Sequence, residues 1–456
     1  MTIPVAGDTP RDGRFAGVRS LGPVARVLAR NWHGLHTLPA TGLYPHQWSW
    51  DSAFIAIGRR HLSPRRAQQE LESLAGAQWA DGRLPQIVFD PARDDDYSPG
   101  AAFWRSDLIP GAPAVPAAGL IQPPNHAWAA LLVHRADPAE SERRRFLQRL
   151  YPALVAWHHY LSTRRRTPDL GLAHVVHPWE TGMDNSPAWD PVLASVTAVR
   201  EAEGAALPDI PRPDLDHAAT HERPSNTEYR NYLYLAGRYR DAQCDDHRDP
   251  GFPFRVVDPA FNALHAASEW ALAEIAGLVG AAVAPHRARA RTITAALQQL
   301  WDEDLRIFVP YDATTHTPLK YATISGVIPL MLPGLAQRDA LLQTLLGPRF
   351  RVGDSVLVPS FDLTADEFDR ARYWRGPSWF NTAWLIVQGL LRSDRPDLAA
   401  ALARDAVDRA LRGDFPEYLD PATGDAHGTR LFSWTAALSL DLDVGLHHDD
   451  LAARLP

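Results

Sequence analysis

Lysine and cysteine are almost missing from this chain, and each shortage removes a chemistry. Lys320 is the only lysine in 456 residues. It follows Pro318-Leu319 rather than a glycine-rich turn, so no phosphate-cradling Gly-Lys-Ser/Thr motif exists. Schiff-base chemistry would have to rest on that one amine. Cys244 is the only cysteine, so no internal disulfide can form. Asp245, Asp246 and Asp249 beside it favour the protonated thiol, and it reads as an incidental surface residue. No apolar run is long enough to span a bilayer. Residues 1–20 lack a basic segment followed by an apolar one. The expectation is a soluble cytoplasmic protein with no membrane partner. The formal charge is −8 and no basic stripe interrupts it, which argues against a nucleic-acid partner. Metal-ligand patterns are poor as well. His217 and His221 stand four residues apart, but nothing completes a set. The His-Glu-x-x-His and Gly-x-Ser-x-Gly patterns do not occur. No metal and no cofactor is called for.

What the chain has is helical periodicity broken by aromatic loops. The apolar fraction is 45%, enough for a large core. Leu264, Ala267, Ser268, Ala271, Ile275 and Leu278 form one helical stripe. Ile293, Ala296, Leu297, Leu300 and Trp301 form another, and Leu398, Leu402, Ala406 and Ala410 a third. Similar patterns cover 52–62, 65–79, 125–135, 140–163, 227–240, 336–345, 378–392 and 430–442. The best strand signals are Arg306–Pro310 and Val356–Pro359, both short. No alternation of strands and helices supports a parallel sheet, so the fold class is all-α. A Pro-rich stretch at 205–225 breaks the periodicity and reads as an insertion able to cover a site.

The aromatic loops hold the chemistry. Tyr44-Pro45-His46-Gln47-Trp48-Ser49-Trp50-Asp51 offers large rings suited to sugar faces and an acid for vicinal hydroxyls. Asp51 also fits as an N-cap of the next helix. Gln122-Pro123-Pro124 sets a stiff turn with an amide that can both donate and accept. Trp179-Glu180-Thr181-Gly182-Met183-Asp184-Asn185 puts Asp184 in apolar company, which raises a carboxyl pKa as a general acid requires. Glu180 is a rival acid and is expected to support the loop. Tyr373-Trp374-Arg375-Gly376-Pro377-Ser378-Trp379 can line a pocket from the start of a helix. Glu417, in Phe415-Pro416-Glu417-Tyr418, is the second carboxylate, and Phe432 and Trp434 follow it. Ser225 and Glu228 match a capping box, which leaves Arg223 and Tyr229 to project at the helix start. Arg223 could clamp a carboxylate in bidentate fashion or simply pair with Glu222 or Glu228. The chain has 15 Trp, and five of them (48, 50, 179, 374 and 379) sit in these motifs, which favours an aromatic-lined pocket over a random core. Two carboxylates facing one bond are the equipment of a glycosidase.

In order, these motifs resemble glycoside hydrolase family 63 over about residues 30–445. The resemblance implies an (α/α)6 barrel at 30–456 after an N-terminal arm at 1–29, with an insertion at about 188–257 forming a cap. It implies a metal-independent inverting reaction, with Asp184 as general acid and Glu417 as general base, roughly 6.5–9.5 Å apart. Among family members the chain is similar to compact bacterial hydrolases of glucosylglycerate and mannosylglycerate. There an Arg-Pro-x-x-x-x-Tyr segment holds the glycerate carboxylate, which Arg223-Pro224 and Tyr229 match. Tyr44, Trp48, Trp50, Asp51, Tyr97, Gln122, Trp179, Asn185, Tyr373, Trp374 and Trp379 are then the other substrate-binding residues. Ser98 departs from the pattern, because a second aromatic is expected beside Tyr97. The partner is a small-molecule glycoside, with a homo-oligomer left open. An oligosaccharide α-glucosidase or trehalase-like hydrolase, a sugar epimerase or isomerase, and a non-catalytic glycan-binding protein remain as alternatives.

Overall fold

The computed structural model describes residues 15, 17–205, 211–216 and 219–454. Six segments form an inner ring. They are the helices Ser49–Arg59, His126–Ala136 and Pro259–Val279, the paired short turns Ile324–Gly326 and Ile328–Met331, and the helices Phe380–Arg392 and Ser433–His448. Each packs on the next, and Ser433–His448 packs on Ser49–Arg59 to close the ring. Outside it lie the helices Leu21–Arg30, Pro64–Ala75, Phe146–Thr163, Ala284–Leu297, Arg338–Leu346 and Pro396–Arg412. Outer and inner members alternate along the chain, which is the (α/α)6 barrel.

Burial explains why each segment takes its layer. Every residue of Ser49–Arg59 is buried, as are Phe380 to Leu390 and Ser433 to Gly445. A helix apolar or small on all sides belongs in an interior. The outer helix Pro396–Arg412 buries Ala399, Leu402, Ala406 and Ala410 and turns Asp397 and Arg404 to solvent. Short two- and three-stranded ribbons precede two inner helices. Gln47–Trp48 pairs antiparallel with Ile87–Val88, Trp48 opposite Ile87. Ser378–Trp379 pairs with Tyr418–Leu419, Trp379 opposite Tyr418. These ribbons fix the loops at the N-terminal ends of the inner helices.

Several expectations need correction. The arm assigned to 1–29 cannot extend across 21–29, because Leu21–Arg30 is a helix packed on Ser433–His448; residues 1–14 and 16 lie outside the described residues. The stripe at 293–301 outruns its helix. The helix stops at Leu297, and Trp301 belongs to a strand paired with Ile307–Phe308. Leu278 is exposed at the end of Pro259–Val279. Val356–Pro359 is no strand, since Leu357 has a φ of +56° that breaks extended chain. The pattern at 140–163 is two helices, Pro138–Arg143 and Phe146–Thr163, separated where Arg145 turns to φ +53°. Cys244 is fully buried rather than on the surface, and burial pushes its thiol up to about 12.

The segment expected as an insertion falls between the outer helix Phe146–Thr163 and the inner helix Pro259–Val279. It carries two helices, Asp190–Ala202 and Asn226–Asp241. The second opens on the expected capping box. Ser225 accepts from Glu228 N–H, and the Glu228 carboxylate accepts from Ser225 N–H. Residues 206–210 and 217–218, His217 among them, lie outside the described residues.

Candidate active site

One cavity lies at the N-terminal ends of the inner helices. Tyr44, Trp48, Trp50 and Asp51 line it from the loop and first turn ahead of Ser49–Arg59, and Gln122 from the turn ahead of His126–Ala136. Tyr373, Trp374 and Trp379 come from the approach to Phe380–Arg392. Tyr97, Trp179 and Asp184 come from loops, Arg223 and Tyr229 from the insertion, and Glu417 from the ribbon. The structure thus brings together Tyr97 and residues from six motifs spread from Tyr44 to Glu417.

The walls are stacked rings. Trp374 and Trp379 lie parallel with centroids 4.0 Å apart, and Trp379 stacks on Tyr418 at 4.6 Å. Tyr44 meets Trp48 edge-on at 5.3 Å. Gly182 has a φ of +71°, and a Cβ there would meet the Trp50 ring at 2.5 Å, so only glycine lets the acid loop sit on Trp50. Tyr373 is held at φ +43°, an uncommon backbone state for a bulky residue that tends to mark functional loops.

Asp184 and Glu417 face this cavity in different surroundings. Asp184 is half-buried and lines the cavity. Loss of water raises its pKa to about 7; the charge of Glu417 adds to the rise and Arg223 opposes it. Tyr232 donates to Asp184 O at 3.0 Å and fixes the loop. Glu417 is fully buried and also raised by burial, but three groups favour its anion: Arg223, the Tyr44 hydroxyl and Thr429 N–H. Tyr44 donates to Glu417 Oε1 at 2.8 Å, and Thr429 N–H to Oε2 at 3.2 Å. Asp414 and Phe415 both take positive φ, and this tight turn delivers Glu417 to the ribbon.

Arg223 sits at the junction. Its Nη2 donates to Tyr44 Oη at 3.1 Å, and its guanidinium covers the Tyr373 ring at 4.4 Å. Asp214 and Glu417 stand 3.5 and 3.6 Å away. Neither Nε nor Nη1 makes a close hydrogen bond, although both are buried. Glu222 and Glu228, the surface partners the sequence suggests, are engaged elsewhere. Glu222 pairs with His427 at 2.7 Å, and Glu228 pairs with Arg372. With Asp190 on Arg375 at 2.7 Å, these contacts tie the insertion to the rims that carry Tyr373 and Glu417.

Some site residues fall elsewhere or were missed. Asn185 does not line the cavity; its Oδ1 accepts Trp374 N–H at 3.0 Å from behind the wall. Asp51 is not an N-cap but lies inside the first turn of its helix, and burial pushes its carboxyl well above the usual range. Gln86, Asp214 and Tyr232 line the cavity without belonging to any motif. The turn Leu84-Pro85-Gln86 was the signal available, since it parallels Gln122-Pro123. Ser98 lines the cavity beside Tyr97, and its carbonyl accepts from Tyr229 Oη at 3.0 Å. Among the described residues, His158, His265 and Glu269 have ligand types close enough for a metal. They lie away from the cavity between three helices, and Glu269 already accepts from Arg289 at 2.8 Å and contacts His286 at 2.8 Å.

Residues 44–435 match the family model described as a mannosylglycerate hydrolase MGH1-like glycoside hydrolase domain. A mannosylglycerate hydrolase of Rubrobacter radiotolerans is 39% identical over 424 residues, covering 91% of this chain and 95% of that protein. A glucosylglycerate hydrolase of Mycolicibacterium hassiacum is 34% identical over 449 residues, covering 95% and 99%. The crystal structure of the family 63 mannosylglycerate hydrolase of Thermus thermophilus with Tris and D-glycerate superposes with a TM-score of 0.83 at 36% identity, covering 92% and 98%. A neutral trehalase of Saccharomyces cerevisiae, 16% identical with a TM-score of 0.56, covering 92% of this chain and 76% of that one, shares the fold. The chain belongs to the MGH1-like branch of glycoside hydrolase family 63 and is an O-glycoside hydrolase. No helix among the described residues is long and apolar enough to cross a membrane.

Proposed function

We propose that the chain hydrolyses 2-O-α-mannosylglycerate or 2-O-α-glucosylglycerate to hexose and glycerate, with inversion at the anomeric carbon. The carrying observation is Arg223, a buried guanidinium on the cavity wall whose carboxylate neighbours, Asp214 and Glu417, come no closer than 3.5 and 3.6 Å. A guanidinium whose neighbouring carboxylates stay beyond close hydrogen-bond range is matched by a substrate carboxylate that approaches it through the cavity. The relatives named for glycosylglycerates support the same reading. Tyr229 and Gln122 stand on the same cavity to hold the aglycone. Trp374 and Trp379 present a stacked wall to the sugar.

In this reading Asp184 gives its proton to the glycosidic oxygen as that bond breaks. A water attacks the anomeric carbon from the opposite face and loses its proton to Glu417. The pKa near 7 at Asp184 keeps a proton available at neutral pH, and Arg223, Tyr44 and Thr429 hold Glu417 as the base. The insertion acts as a cap, since it supplies Arg223, Tyr229 and Tyr232 to the cavity. The test is hexose release from the two glycerate conjugates and from trehalose, side by side. Release from a glycerate conjugate alone supports the reading. Release from trehalose, or from none of the three, overturns the substrate.

A further inference from the structure

Behind the wall lies a buried ion pair that touches neither the cavity nor solvent. Arg165 and Glu180 are both fully buried. Arg165 Nη1 and Nη2 donate to the two Glu180 oxygens at 2.6 and 2.8 Å. Glu180 accepts two more hydrogen bonds, from Val176 N–H at 2.7 Å and from Ile121 N–H at 3.0 Å. Four donors fill the acceptor sites of one carboxylate. They come from the end of an outer helix, the root of the acid loop and the turn that carries Gln122.

Two of those strands of chain lead into the cavity. Glu180 belongs to the short 3-10 turn Pro178–Thr181, Gly182 follows, and Asp184 stands four residues on. Ile121 precedes Gln122, whose Oε1 accepts Trp50 N–H at 3.2 Å. One carboxylate therefore sets the place of Asp184 relative to Gln122 and Trp50. On its far side Arg165 Nε pairs with Asp246 at 2.7 Å. Arg83 donates to Tyr239 Oη at 2.7 Å, and that hydroxyl donates to Asp246 at 2.8 Å. Arg165 and Glu180 carry opposite charges, so the pair contributes geometry to the cavity rather than net field.

We infer that Glu180 and Arg165 are positioning residues for the protonation step, holding Asp184 where its proton reaches the glycosidic oxygen. The inference rests on the reading of Asp184 as the general acid. Misplacement by about 1 Å costs on the order of 100-fold in rate, comparable to part of what a general acid supplies.

The test separates protonation from everything else by changing the leaving group. Fluoride departs with the bonding electron pair and needs little proton assistance. An α-glycosyl fluoride is therefore cleaved by Glu417 and water alone, whereas a glycerate conjugate needs Asp184 as well. Glu180→Gln and Arg165→Lys are assayed on both substrates beside Asp184→Ala. In both positioning variants kcat on the glycerate conjugate falls by about 100-fold with KM within about threefold, and cleavage of the fluoride stays within about threefold of wild type. Equal losses on both substrates, no loss on either, or failure of both variants to fold would make the pair a folding element only and overturn the inference. If Asp184→Ala itself is not spared on the fluoride, the reading of Asp184 fails first. If Asp184→Ala is spared and the two variants are not, the positioning claim alone fails.

Discussion

Asp184 and Glu417 bring the same functional group to the same cavity and differ in what surrounds it. Arg223 favours the anion of both; Glu417 also accepts hydrogen bonds from a hydroxyl and a backbone N–H, whereas burial and the charge of Glu417 press Asp184 toward its protonated form. Asp184→Asn and Glu417→Gln should each lower kcat by at least about 100-fold with binding retained, as read by steady-state kinetics and product titration. The alkaline limb of the rate profile should fall near pH 7, where Asp184 loses its proton. Arg223 is the largest influence holding Glu417 down, so Arg223→Met should move the acid limb to higher pH, because the base then protonates more readily. The same residue gives a stability signature. The folded chain keeps a proton on Asp184 from about pH 4 up to about 7, one the unfolded chain releases. Stability therefore falls as pH rises through that window. Asp184→Asn removes that loss and should raise stability at pH 8 by roughly 1–3 kcal/mol, measured by thermal unfolding. A variant that is inactive yet more stable is the pattern of a functional group held at a cost.

Loops carry the site, and each loop is held by a small ribbon, a turn or a cap. Gly182 shows how tight the fit is. Gly182→Ala has to accommodate a Cβ against Trp50 at a positive φ, so kcat should fall at least about tenfold and the melting temperature should fall with it. Asp190→Asn cuts the insertion's tie to Arg375, whose partner is partly exposed; a KM increase of a few-fold with a smaller effect on kcat is the outcome to look for. At this scale the sequence was readable where residue type and spacing coincide. The capping box at Ser225 and Glu228, the aromatic loops and the apolar setting of Asp184 are all local patterns. Asp214 reaches the cavity through tertiary placement alone and no local pattern marks it, while Gln86 had only its proline turn as a signal. The helix Leu21–Arg30 escaped because it adjoins a polar, proline-containing stretch. The stripe at 293–301 misled because the apolar spacing continues past Leu297 into a strand that buries the same face.

The barrel as a whole depends on close approach of the inner helices. A Cβ at Gly58 would collide with the Ala437 backbone of the neighbouring inner helix. Gly58→Leu should therefore destabilise the entire ring by more than about 3 kcal/mol, seen as one early cooperative melt or loss of soluble protein. Helical periodicity marked five of the six inner members and five of the six outer ones, Leu21–Arg30 being the outer helix missed, and burial on all sides or on one face then sorted them into layers. The remaining inner member, at 324–331, is two short turns around Gly326 and Pro329. No helical period survives there, so only the closed ring reveals it. The aromatic cavity of this ring is suited to a small glycoside, and Arg223 on its wall to an acidic aglycone, as the proposed function requires.

The most direct test of inverting cleavage is proton NMR of the hexose first released from 2-O-α-mannosylglycerate and from 2-O-α-glucosylglycerate, recorded before the anomers equilibrate. The account predicts the β-anomer at early times, giving way to the equilibrium mixture. Early appearance of the α-anomer, or no hexose at all, would contradict it.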